Sequence, residues 1–125
     1  MKVLLTTLSL LLFIVSQAQK EIKPDEVKDH IGDSVIVQGK ILAVQTSKNA
    51  PTTISIGTSN PNQRFTIVIR KEVRNQLHII PTSKDIGNIV WVAGKIERYK
   101  GKPQITIKNP KQIDIIQDSQ REVDL

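Results

Sequence analysis

Aliphatic and polar residues alternate along several short stretches of this chain, and one alternating phrase is written twice. Val35-Ile36-Val37-Gln38-Gly39-Lys40-Ile41 recurs as Val90-Trp91-Val92-Ala93-Gly94-Lys95-Ile96, with aliphatic residues at places one, three and seven and glycine at place five. Period-two alternation is the pattern of a half-buried strand. A glycine inside such a strand marks a bulge or a sharp bend at a barrel corner. The phrase therefore predicts two bent strands, over residues 34–46 and 89–99. Three further strands are expected. One covers 52–57, with Ile54 and Ile56 inward; one covers 64–70, with Phe65, Ile67 and Ile69 inward; the last covers 104–108, with Ile105 and Ile107 inward. Ile113, Ile115 and Ile116 extend or flank that last strand.

Two segments read as helices. Residues 23–32 have Pro24 in the first turn, Asp25 and Glu26 at the positive end of the dipole, and Gly32 as a stop, with Val27 and Ile31 as a small apolar face. Residues 71–78 place Val73, Leu77 and Ile80 at helical spacing ahead of Pro81. The expected order is helix, three strands, helix, two strands. It predicts an all-β fold with short helices, a five-stranded Greek-key OB-fold barrel with its helix between strands three and four. In that topology strands one and four pair, so the two copies of the phrase become neighbours.

The amino terminus reads as an address. Lys2 precedes an apolar run from Val3 to Val15, and Ser16-Gln17-Ala18 is a small-x-small cleavage site. The run is shorter than the ~20 residues a bilayer-spanning helix needs. The expectation is a signal peptide over 1–18, cleavage near Ala18-Gln19, and a periplasmic or secreted product of 107 of the 125 residues. That length suits one domain: an N-terminal segment (19–33), the barrel (34–116) and an acidic tail (117–125). The chain has no cysteine, so no disulfide or lipidated cysteine supports the fold.

Charge is distributed unevenly. Residues 38–111 hold thirteen Lys and Arg against Glu72, Asp85 and Glu97, a net +10, whereas 19–37 carry −2 and 112–125 carry −3. Such concentration suits a polyanionic partner; a solvated, solubilising surface accounts for it equally.

Beyond these features, the chain resembles the OB-fold nucleic-acid-binding superfamily, and more narrowly small exported OB-fold proteins of Bacteroidetes type, often labelled DNA-binding. The resemblance rests on His30-Ile-Gly-Asp-Ser-Val35, Val37-Gln-Gly39-Lys40, Thr46-Ser-Lys48, Pro61-Asn-Gln-Arg-Phe65, Val92-Ala-Gly94-Lys95-Ile96, Tyr99-Lys-Gly101-Lys-Pro-Gln-Ile105 and Pro110-Lys-Gln-Ile113. It covers about residues 24–116. The tyrosine hairpin also resembles the last strand pair of anticodon-binding and single-strand-binding OB domains. The family implies a nucleic-acid ligand, with single strands preferred and little sequence specificity. The chain departs from it in having Asn60 where relatives often carry an aromatic, and few aromatics elsewhere.

A single strand is held by a basic groove and aromatic platforms. The candidate binding residues are Lys40, Lys48, Arg64, Lys95, Arg98, Tyr99, Lys100, Lys102, Gln104 and Lys108. Tyr99 is either a stacking platform or a ring packed over the Pro103 turn. Trp91 lies on the ligand side by parity, yet a lone Trp is more often a packing residue. Lys40 and Lys95, at matching places in the phrase, are expected to sit together on one outer face. His30 and His78 are isolated and no carboxylates cluster, so neither a metal site nor an enzyme is expected, and no cofactor. The leading expectation is an exported nucleic-acid-binding module. The alternative is an envelope adaptor that binds a protein or an acidic glycan.

Overall fold

The computed structural model describes residues 19–58 and 64–117. The expected signal peptide, residues 59–63 of the second turn and the tail beyond 117 lie outside the described residues. Everything else is arranged around one long strand, β2 (Ser34–Ser47). Its first half pairs antiparallel with β5 (Ile89–Lys95), from Ser34 opposite Lys95 to Lys40 opposite Ile89. From Ile41 onward it pairs instead with β3 (Ala50–Ile56). The two copies of the phrase are thus adjacent, as expected, and they run in opposite directions.

The hand-over explains the first glycine. A methyl group at Gly39 would overlap the Ile56 side chain, so the strand has no Cβ where β3 crosses into the core. Gly94 does the same for Ile105, whose Cγ2 would lie 2.7 Å from an added Cβ. Both glycines serve close approach. The bulge itself falls at Leu42: Ile41 faces Ile56 and Ala43 faces Ser55, leaving one extra residue on β2. A single inserted residue reverses which parity points inward. Val35, Val37 and Ile41 are buried before the bulge, and Val44 packs against the core after it.

β3 pairs antiparallel with β4 (Phe65–Ile69), and β4 pairs parallel with β7 (Lys102–Ile107). β7 forms a hairpin with β6 (Glu97–Tyr99), and β8 (Ile113–Ile116) lies antiparallel on β5. A short β1 (Lys20–Ile22) adds parallel to β2. The result is one mixed sheet of eight strands in the order β6-β7-β4-β3-β2-β5-β8, with β1 on β2. β5 and β6 lie near opposite ends of this path, although Ile96 alone separates them in sequence. Ile96 interrupts the expected fourth strand because its N–H donates to the Asp33 carbonyl (3.0 Å) and its carbonyl accepts from the Gly32 N–H (2.7 Å). Its side chain is nevertheless fully buried, continuing the inward series of Val90 and Val92.

The helices are shorter than the sequence suggests. Residues 24–29 form a 3-10 turn, Pro24–Asp29, that buries Val27. The expected helix over 71–78 is a single turn, α1 (Lys71–Arg74). Beyond it, Gln76 and Leu77 donate to Val73 and Arg74, three residues back, so the chain tightens and leaves the helix. Further 3-10 turns, Ser83–Asp85 and Pro110–Gln112, lead into β5 and β8, each capped by a side chain, Thr82 and Asn109. β8 is a strand of its own paired with β5, at the other end of the sheet path from β7, so Ile113, Ile115 and Ile116 neither extend nor flank β7 as expected. The core unites Val35, Val37, Ile41, Ile54, Ile56, Phe65, Ile67, Ile69, Val90, Val92, Ile96, Ile105 and Ile107, all at most 1% exposed. Each contributes ~1.5–3 kcal/mol of burial, which is how a chain without disulfides holds its sheet.

Candidate nucleic-acid interface

The outward residues of four strands form a floor. Register places Gln45, Thr53, Val68 and Thr106 in one row across β2, β3, β4 and β7. A second row runs through Ala43, Ser55, Thr66 and Gln104 and ends on Glu97 of β6. Strand spacing makes this floor roughly 14 Å across. It is hydroxyl- and amide-rich, with Val68 as an apolar patch, and Gln104 Nε2 donates to Thr106 Oγ1 at 3.4 Å. Two hairpins stand as walls. The groove between them has a volume of about 770 Å³, and its walls are Ser47, Ala50 and Pro51 on one side and Tyr99, Lys100, Lys102 and Pro103 on the other.

The β6–β7 wall is a two-residue hairpin in which Tyr99 faces Lys102. Both central residues have positive φ, Lys100 at 50° and Gly101 at 77°, as a type I′ turn requires. Glycine adopts this region freely, whereas a lysine there costs about 1 kcal/mol. The Lys100 ammonium lies 5.4 Å from the centroid of the Tyr99 ring, a cation–π contact contributing ~0.5–1 kcal/mol at an exposed site. Tyr99 is 58% exposed. Its ring is therefore largely accessible and is not packed away over Pro103.

The β2–β3 wall is held from beneath. Arg74 of α1 is only 8% exposed, and its guanidinium reaches into the base of that hairpin. Nη1 donates to the carbonyls of Ser47 (2.8 Å) and Ala50 (3.1 Å) and to the hydroxyls of Thr52 (3.1 Å) and Thr46 (3.3 Å), while Nη2 donates to the Lys48 carbonyl (3.3 Å). Among the described residues no carboxylate pairs with it. A buried cation is costly unless its donors are satisfied; these neutral acceptors surround it, with the two N–H groups of Nη1 shared among four of them, so the cluster is worth fewer charge-assisted bonds than it has contacts.

Of the ten candidate residues, the groove brings together Tyr99, Lys100, Lys102 and Gln104. Lys48 is exposed at the tip of the opposite wall. Arg98 is on the same hairpin as Tyr99 but on the other side of its ribbon, by strand alternation. Arg64 lines a neighbouring hollow with Lys28 and Lys102. Lys108 follows β7, where its N–H donates to Gln112, away from the groove walls. Lys40 and Lys95 are not together. In the antiparallel register they lie opposite Ile89 and Ser34, six positions apart, ~20 Å along the strand. They occupy the outer face of β2 and β5, where Trp91 stands half-buried opposite Gln38 and Asp114. Trp91 is therefore remote from the groove lining.

Sequence reasoning missed Gln45 and Arg74. The first is signalled by aliphatic parity slipping between Ile41 and Val44; the second has no local signal, since its acceptors lie 22–28 residues away. Among the described residues no three His, Cys, Asp or Glu side chains gather as metal ligands, and no helix is long and apolar enough to cross a membrane.

No protein-family model matches this sequence, and no curated protein matches it significantly. The fold does match a solved structure. A chain assigned as an aspartyl-tRNA synthetase from Leishmania major Friedlin superposes with a TM-score of 0.52 over 84% of this chain, at 10% identity. The match spans 22% of that protein's length, so the likeness is one of fold, to a part of a much larger protein.

Proposed function

We propose that this chain is an exported OB-type module that binds nucleic acid, preferably single-stranded and with little sequence preference, in the groove between the β2–β3 and β6–β7 hairpins. In this reading β2, β3, β4, β5 with β6, and β7 are the five strands of a Greek-key barrel, joined through Ile96. The observation that carries the proposal is the accessible Tyr99 ring beside Lys100 and Lys102, over a floor of hydroxyls and amides. A π face, two cations for phosphates and neutral groups for base edges are what sequence-tolerant single-strand binding needs. The fold's likeness to part of a protein named for tRNA supports the same ligand class. The chain acts by binding, without catalysis. Fluorescence anisotropy of a labelled oligothymidylate at low salt tests this: saturable binding that weakens steeply with salt supports it, and no binding rejects it.

A second reading has its own support. The floor through Gln45, Thr53, Thr66 and Gln104 is uncharged, and it would suit the hydroxyls of an acidic envelope glycan. Titration with a uronic-acid oligosaccharide, binding more tightly than the oligonucleotide, would favour it.

A further inference from the structure

The buried Arg74 does more than fill space, because of the direction in which it turns the β2–β3 hairpin. The carbonyls of Ser47 and Lys48 both accept from its guanidinium, at 2.8 and 3.3 Å. In a trans peptide the C=O and the following N–H point in opposite directions. The N–H groups of Lys48 and Asn49 are therefore aimed away from Arg74, out of the hairpin tip. Among the described residues neither N–H has a hydrogen-bond partner. Both residues are exposed, and they sit between Ser47 and Ala50, which line the groove. The Lys48 ammonium belongs to the same tip. Nothing nearby in sequence opposes this charge: no Asp or Glu occurs between Asp33 and Glu72. The guanidinium beneath, bonded only to neutral acceptors, leaves its full positive charge under the hairpin, with the two peptide dipoles aligned so that their positive ends face outward.

We infer that the β2–β3 hairpin is a phosphate-recognition element of the groove: the Lys48 ammonium and the N–H groups of Lys48 and Asn49 receive a phosphate of the ligand, and Arg74 is the positioning residue that presents them. Outward backbone N–H groups beside a cation form a recurrent oxyanion site. The inference rests on the nucleic-acid reading and adds a defined phosphodiester contact on the wall opposite Tyr99. A strand bound there would have a base on the tyrosine and its backbone on the hairpin, spanning the floor.

Amide chemical-shift mapping by NMR on the wild-type chain separates the two ideas. A short oligothymidylate is expected to move the amides of Lys48 and Asn49 together with those of Tyr99 to Lys102. Inorganic phosphate alone, at higher concentration, is expected to move Lys48 and Asn49 and leave Tyr99 in place. If the oligonucleotide moves the β6–β7 amides and leaves Lys48 and Asn49 unmoved, the inference is overturned and the reading stands; if neither hairpin responds, both fall. Arg74→Lys keeps the charge and loses the planar fork. It is expected to lower the salt slope of oligonucleotide binding by about 0.7, the loss of one phosphate contact. A role confined to stability would leave that slope unchanged, and an unchanged slope overturns the assignment. Should Arg74→Lys fail to fold, Lys48→Met, at an exposed position, is expected to lower the slope by the same amount.

Discussion

The two walls of the groove are built on opposite principles. The β2–β3 hairpin is held from outside itself, by a guanidinium on α1 that binds three of its carbonyls and two threonine hydroxyls. The β6–β7 hairpin is held by its own backbone, through a type I′ turn at Lys100 and Gly101, and carries its aromatic and cations in the open. The first wall is pre-organised by burial, and its order is coupled to the packing of the domain. The second can adapt without disturbing the core. Damage to the first should therefore cost stability together with its phosphate contact, whereas damage to the second should appear mainly in binding.

Substitutions in the two walls test this contrast. Arg74→Met is expected to have the largest effect, about 3 kcal/mol of stability, because several inward carbonyls and hydroxyls lose a charged donor at once. Chemical denaturation reads it as a lower midpoint at unchanged slope; a loss under 1 kcal/mol would mean that the hairpin holds itself. Tyr99→Ala should lower oligonucleotide affinity by ~1–3 kcal/mol, the value of one stacking contact, with stability lowered by no more than about 1 kcal/mol, the lost cation–π contact with Lys100. Equal losses in both would show that the ring packs rather than binds. Gly101→Ala forces a Cβ into the left-handed region and should cost about 1 kcal/mol of stability, together with weaker binding as the hairpin splays. The smallest effect is expected from Lys100→Asn. Asparagine tolerates positive φ better than lysine, so stability should rise by a few tenths of a kcal/mol while affinity falls with the lost cation. Rising affinity in this variant would remove Lys100 from the interface.

Much of the fold was legible because its signals are local. Phe65, Ile67 and Ile69, and Ile105 and Ile107, alternate without interruption, and each is buried as the period requires. The pairing of the two copies of the repeated phrase followed from topology. What failed was the inference from matching places in the phrase to nearness in space: antiparallel strands align the start of one copy with the end of the other, which separates Lys40 from Lys95. Leu42 misleads in a similar way, since one inserted residue moves Gln45 to the outer face although its parity matches inward Val37. β1 is too short, at three residues, to show any period. Of the site, the β6–β7 hairpin was readable because Tyr99-Lys100-Gly101-Lys102 is itself a turn signature beside an aromatic. The opposite wall was not, because a buried arginine bonded to backbone carbonyls looks, in sequence, like any surface arginine.

The central claim is that binding belongs to the groove and is not a general property of a basic surface. The most direct measurement is the salt dependence of oligothymidylate affinity for two double variants, Lys100→Gln with Lys102→Gln in the groove and Lys40→Gln with Lys95→Gln on the far face. Both remove the same net charge. The groove pair is expected to weaken binding and reduce the slope of log K against log salt by about 1.4, two single-strand phosphate contacts, while the far-face pair leaves the slope within error of wild type. Equal reductions by the two pairs would contradict the claim and assign the affinity to diffuse charge.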